Sequence, residues 1–280
     1  MFRDILVPMT GSAGDMDALN VALDLAASQE ARVSVMELVS LPTPVPSPWG
    51  LMPDLAYVEA YAPLREQGER NVAKLRARLE KESVSTEVSL VESLLTEPAR
   101  MAAHRAHYAD LAIVAGAIGD TAEATVPRAY FAALLLESGR PVLVVPPRCK
   151  TRMPPRRIVV AWRPTIECAR AIHDALPLLS LAEAVDLLVV DPEGGEHGDG
   201  KQPGADIGSH LARHGAKVNV VLRKSRGRAI SEVVLEHARE MRAELIVAGG
   251  YGHSRLREWA MGGVTRELLI SASIPVFFSH

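Results

Sequence analysis

The chain of 280 residues carries one pattern twice. Arg3-Asp4-Ile5-Leu6-Val7-Pro8-Met9-Thr10-Gly11-Ser12 and Arg156-Arg157-Ile158-Val159-Val160-Ala161-Trp162-Arg163-Pro164-Thr165 each read as a buried β-strand running into a polar turn. A helix follows each. Leu19, Ala22, Leu23 and Ala26 mark one buried face in the first, and Cys168, Ala171, Ile172, Ala175, Leu176 and Leu179 do so in the second. Second strands are expected at Val33 to Val39 and Val185 to Val190, and third strands at Thr86 to Val91 and Lys217 to Leu222. Ala109 to Gly116 matches Ala243 to Gly249 as a strand ending in glycine, and each copy closes on a short apolar strand that starts at proline, Pro141 to Val145 and Pro275 to Phe278.

Strands alternating with amphipathic helices imply parallel sheets covered on both faces, because each right-handed crossover lays its helix on a face. Ligands of such sheets sit at the carboxyl ends of strands flanking the reversal in strand order, here the first and fourth of each copy. The prolines and basic residues between Pro146 and Pro155 read as an exposed linker. The expected division is 1–147, a linker at 148–155, and 156–280. The terminal strands are apolar enough to invite aggregation if left unpaired, so the two copies are expected to pack through them as an internal pseudo-dimer, and a homodimer of whole chains is compatible with this.

After the fourth strand of the second copy stands Gly249-Gly250-Tyr251-Gly252-His253-Ser254-Arg255, and after Trp259-Ala260-Met261 the run Gly262-Gly263-Val264-Thr265 opens a helix over Arg266 to Ala272. Glycine lets backbone approach a ligand closely, and free N–H groups at a helix start attract phosphate. The spacing Gly249-x-x-Gly252-(nine residues)-Gly262 resembles the phosphate and ribose signature of the universal stress protein superfamily, and the paired copies resemble it over nearly the whole chain. The resemblance implies an α/β fold of two tandem open five-stranded parallel sheets in the order 3-2-1-4-5, Rossmann-like, with helices on both faces. It also implies ATP, with Mg2+, in the second copy. Carried over residue by residue, it puts Gly249, Gly252, Gly262 and Val264 at backbone contacts with phosphate and ribose, and Thr265 as a hydroxyl donor. Val190 and Asp191 would border the adenine, and His253 stands beside the phosphate loop.

Three departures bear on the ligand. Gly263 replaces the hydroxyl residue usual after the third glycine, and the aspartate usual after the first strand is Arg163 in the second copy and Thr10 in the first. An arginine there would meet phosphate and favour anions generally. In the first copy Gly116-Ala117-Ile118-Gly119 keeps the first glycine pair, but Val126-Pro127-Arg128-Ala129-Tyr130 fills the expected phosphate nest, so this copy reads as a degenerate packing partner.

A formal charge of −3 gives no field that gathers nucleic acid, no apolar run has the length to span a bilayer, and nothing resembles a signal peptide. Cys149 and Cys168 form no metal or disulfide pattern, Cys149 being expected exposed in the linker and Cys168 in the core, which fits a cytoplasmic protein. The pairs His104/His107 and His210/His214 read as exposed polar positions without a third ligand. The proline-rich Leu41 to Trp49 and the glycine- and acid-rich Pro192 to Pro203 read as loops over the crevices. No catalytic triad or G-x-x-x-x-G-K-[ST] sequence occurs, so a regulatory protein is expected. The alternatives are a ligand-free interaction module and a weak ATP-hydrolysing enzyme using Arg163, His253 and Arg255.

Overall fold

The computed structural model describes residues 1–40, 55–93, 96–192, 202–251 and 263–280. The first half runs β1 (Asp4–Met9), α1 (Asp15–Gln29), β2 (Arg32–Ser40), α2 (Leu55–Leu79), β3 (Ser85–Ser93), α3 (Pro98–Ala106), β4 (Leu111–Ala115), α4 (Thr125–Glu137) and β5 (Val142–Val145). The second half repeats it as β6 (Arg157–Trp162), α5 (Ile166–Leu179), β7 (Ala184–Val190), α6 (Ala205–Arg213), β8 (Val218–Arg223), α7 (Ile230–Met241), β9 (Leu245–Gly249), α8 (Gly263–Ser271) and β10 (Val276–Ser279).

Local chemistry sets the helix boundaries. Thr165 caps α5 by accepting from the Cys168 amide at 3.4 Å, and Asp15 and Asp17 lie in the first turn of α1, where the helix dipole favours negative charge. Pro98 opens α3, where its missing N–H costs nothing. Helix α8 begins at Gly263, three residues before the expected Arg266. Glycine propensity argues against a helix there, but Leu268 and Leu269 are buried and hold the helix in place, so packing overrides propensity.

The strands follow the order β3-β2-β1-β4-β5-β10-β9-β6-β7-β8, which is 3-2-1-4-5 in each half, as the sequence implies. The two five-stranded units form one continuous sheet. Strands β5 and β10 pair antiparallel, with Val276 opposite Val144, Phe277 opposite Leu143 and Phe278 opposite Val142, while the other neighbouring pairs are parallel. This pairing buries both apolar edges and satisfies their backbone groups.

Each face of the sheet carries one large apolar cluster, and both of these cross the junction. On one face Leu143, Val145 and Phe277 join residues of α1 and α5, including Leu25 and Leu178. On the other, Val142, Val144 and Phe278 lie with Phe131 and Leu134 of α4 and Leu268 of α8. Phe277 and Phe278 are adjacent in β10 and therefore point to opposite faces, so one dipeptide contributes to both cores.

Cys149 is half-buried against the first of these clusters rather than exposed. The cause is that the linker lies along α1, with the Arg148 amide donating to Asp17 Oδ2 at 2.7 Å and Arg152 3.6 Å from Asp24. Cys168 is half-buried, its Sγ 3.8 Å from the Ala161 carbonyl. The rings of His210 and His214 are 4.6 Å apart and those of His104 and His107 5.5 Å, and no group of three metal-ligating side chains occurs among the described residues. No described helix is long and apolar enough to cross a membrane.

Candidate functional site at the strand ends

The reversal in strand order places one crevice at the carboxyl ends of β1 and β4 and another at those of β6 and β9. Of the residues expected in the second crevice, Gly252, His253 and Gly262 lie outside the described residues, as does Arg255. Their flanks are described and are brought together: the Tyr251 amide donates to Thr265 Oγ1 at 3.3 Å, joining the end of β9 to the first turn of α8. Thr265 is 5% exposed, and its hydroxyl, expected to donate to a ligand, here accepts from the chain and keeps its own hydrogen. Val264 is half-buried against the core, whereas Gly263 is exposed and a Cβ there would meet nothing within 4 Å. Among the described residues, nothing stands where a Gly263 side chain would lie.

Gly249 has a packing role that sequence reasoning missed. A Cβ on Gly249 would lie 2.7 Å from the Cys168 nitrogen and 2.9 Å from Glu167 Cβ, so its absence lets the start of α5 sit directly on β9. Ile5 pairs with Leu111 and Ile158 with Leu245, which makes Ala115 and Gly249 equivalent. In the first half the glycine is on the other partner: a Cβ on Gly14 would approach Ala115 Cβ at 3.3 Å. Each crossing of first helix and fourth strand thus needs one missing side chain, supplied by the helix in one half and by the strand in the other. The exchange leaves the buried Glu167 beneath Gly249.

Arg163 is exposed at the end of β6, its carbonyl accepting from the Thr165 amide at 2.7 Å. Val190 is half-buried in the sheet. Asp191 has φ 49° and turns its carboxylate away to the next loop, Oδ1 accepting from the Ser225 amide at 2.9 Å. Bonds from the Ser225 side chain and then its backbone hold that carboxyl below the usual range. Tyr251 packs its ring 5.9 Å from Phe131 of the first half, and burial pushes its hydroxyl up to about 12.

The first crevice is filled from within. Asp15 accepts from the Thr10 and Gly11 amides at 2.9 and 2.8 Å, and from the Thr10 and Ser12 hydroxyls at 2.7 and 3.1 Å. The amides that end β1 thus already hold a carboxylate, one provided by the chain itself. Burial raises the Asp15 pKa against the pull of these bonds, and burial likewise raises that of Glu37, which accepts from Asn71 Nδ2 at 2.6 Å. Buried Tyr130 has its hydroxyl raised by burial first and by the charges of Asp15 and Glu37 next. Arg128 reaches back to the Gly119 carbonyl and to Asp120. That loop docks on the second half, with the Gly119 amide donating to the Ile270 carbonyl at 2.9 Å and Arg266 donating to Asp120 at 2.6 Å.

The glycine pairs of the two halves also differ in register. The Gly116 amide donates to the Val145 carbonyl at 2.7 Å and the Gly250 amide to the Ser279 carbonyl at 2.8 Å, so Gly116 is the counterpart of Gly250 and not of Gly249. Carried along the chain, this register sets Arg128, Ala129 and Tyr130 where the second half has Gly262, Gly263 and Val264.

The Asp15 network predicts a pH signature. Asparagine is isosteric, can accept from both amides through oxygen and can donate to both hydroxyls, so Asp15→Asn removes a buried charge and keeps the bonds. A carboxyl whose folded pKa is raised contributes stability that is present below its unfolded value of about 3.9 and lost as pH rises through the folded value. Urea midpoints of the native protein and Asp15→Asn, compared at pH 4 and pH 7.5, should therefore favour the variant more at the higher pH. A difference that stays constant, or shifts the other way, refutes the assignment.

The family description "Universal stress protein family" matches residues 1–146 and again 156–280. Among solved structures the chain is similar to a universal stress protein from Archaeoglobus fulgidus DSM 4304, at 14% identity over 98% of this chain and 97% of that one, with a TM-score of 0.73. A functionally unknown protein from Pseudomonas aeruginosa PAO1 matches at 14% identity over 99% of this chain and 92% of that one, TM-score 0.59. A putative universal stress protein from Pseudomonas aeruginosa UCBPP-PA14 does so at 16% over 99% and 92%, TM-score 0.55. Among curated proteins none matches. At these identities the structures speak for the fold alone, but the family match covers both halves of the repeat, and the chain belongs to the universal stress protein family.

Proposed function

We propose that the protein is a stress-associated regulator that retains an adenine nucleotide, ATP with Mg2+, in the crevice of its second half, while the first half serves as a packing partner. The observation that carries this reading is the bond from Tyr251 to Thr265, which brings the end of β9 to the first turn of α8 at the sheet reversal, where a helix start offers amides to an anion. The amides of Gly263 and Val264 would bind phosphate, and the Thr265 hydroxyl can donate while it accepts from Tyr251. Magnesium would be held mainly by phosphate oxygens and water. The repeat favours 1–147 and 156–280 as the two units joined by 148–155. Two free cysteines fit a reducing cytoplasm, and a homodimer of whole chains is compatible with this reading.

Acid extraction of the purified protein should release adenine nucleotide in an amount approaching one per chain. In Gly263→Glu the new side chain points into open space, so the fold is kept while its carboxylate opposes phosphate. Retained nucleotide should fall at least tenfold, with an unchanged circular dichroism spectrum. A native protein that releases none, and that shows no ATP binding in solution, refutes the proposal in favour of a ligand-free interaction module.

A further inference from the structure

At the carboxyl end of β8 the chain turns through residues 224–229 into α7, and the strand end, turn and helix line an open cavity of about 450 Å³. Arg223, Lys224, Arg226 and Arg228 line it against Glu236 and Glu240. Both carboxylates are engaged: Glu240 accepts from Arg223 at 2.7 Å and Glu236 from Arg228 at 2.7 Å. These pairs hold two guanidinium groups in place at the wall. Lys224 and Arg226 form no ion pair among the described residues; Lys224 lies within reach of the Asp191 charge, and the lining itself sets four cations against two carboxylates. The turn itself is fixed, because buried Ser225 is bonded to Asp191 through its amide, and the Arg228 amide donates to the Ser225 carbonyl at 3.1 Å.

The inner wall is formed by His237, 6% exposed. Its Nε2 lies 2.8 Å from Asp186 Oδ2, and Asp186 Oδ1 accepts from Asn219 at 3.2 Å. With Nε2–H given to a carboxylate, Nδ1 is left on the side of Arg223 and Glu240, 3.4 Å from Arg223 Nη2 and 3.8 Å from Glu240 Oε2. Leu222 and Val233 complete the lining with apolar surface. Lys224, Arg226 and two oriented guanidinium forks match a dianionic head, with His237 Nδ1 bracing Arg223, and the volume and the apolar wall leave room for an organic body.

We propose that this cavity binds a phosphate monoester, with the phosphate between Lys224 and Arg226, Arg223 and Arg228 donating from the wall, and the organic group against Leu222 and Val233. The site is separate from the crevice at β6 and β9 and does not depend on nucleotide binding there.

The test is calorimetric titration of the full chain at low ionic strength with phenyl phosphate, inorganic phosphate and benzoate. Phenyl phosphate should bind at this site with one-to-one stoichiometry, inorganic phosphate should compete with it, and benzoate should bind at least tenfold more weakly. The double variant Lys224→Ala/Arg226→Ala alters only exposed side chains and should keep its melting temperature while losing at least tenfold in affinity for phenyl phosphate. Gly263→Glu should bind phenyl phosphate as the native protein does. The proposal is overturned if no saturable heat is seen, if benzoate binds as well as phenyl phosphate, or if the double variant binds unchanged. It is equally overturned if Gly263→Glu abolishes the signal, which would place the phosphate at α8 instead.

Discussion

Phe278→Ala is expected to destabilise the chain by about 3–5 kcal/mol, the range for deleting a buried aromatic ring. Phe278 is 0% exposed, pairs with Val142 across the antiparallel junction, and sets its ring 5.2 Å from that of Phe131 in an edge-on arrangement. Its cavity would therefore open in an apolar cluster that both halves share. Urea unfolding followed by circular dichroism should show one transition moved to lower denaturant, whereas Leu181→Ala, at a side chain 56% exposed, should leave it within about 0.5 kcal/mol. A Phe278→Ala variant that splits into two transitions, only one of them displaced, would mean that the halves fold independently.

Gly249→Ala is the second substitution with a large expected effect. The added Cβ would meet backbone atoms of Glu167 and Cys168, which no rotamer change can move, so α5 must lift from β9 at a cost of about 1–3 kcal/mol. The first half already contains the compensated arrangement, with Ala115 on the strand and Gly14 on the helix. Adding Glu167→Gly to Gly249→Ala removes the Cβ contact at 2.9 Å and leaves the two backbone contacts, so it should recover the smaller part of the loss, with a coupling energy of about 0.5–1 kcal/mol in a double-mutant cycle. Additive losses would show that the two glycines are not exchangeable solutions to one packing problem.

Much of the fold is legible in the sequence because its signals are local. The apolar runs at Ile5 and Ile158, the proline-led strands at Val142 and Val276, and the helix periodicity at Leu19 and Cys168 each report on residues a few positions apart. What escapes is set by partners distant in the chain. Gly116 and Gly249 look equivalent as strand-ending glycines, and only the ladder to Val145 and Ser279 shows the one-residue offset. The packing role of Gly249 is hidden in the same way, since nothing in its neighbourhood reveals that Cys168 and Glu167 lie against it. The bond from Ser225 to the Asp191 carboxylate likewise joins residues 34 apart in the chain. The acidic residues Asp15 and Glu167 after the first-strand turns were a readable signal, since a carboxylate in the first turn of a helix can satisfy backbone amides behind it, as Asp15 does.

The seam between β5 and β10 has a thermodynamic consequence for the protein in solution. Because both partners belong to one polypeptide, closing that seam is a unimolecular event, and dilution cannot open it. The midpoint of unfolding should not vary with protein concentration on account of this contact, and any association of whole chains has to draw on surface other than these two spent edges.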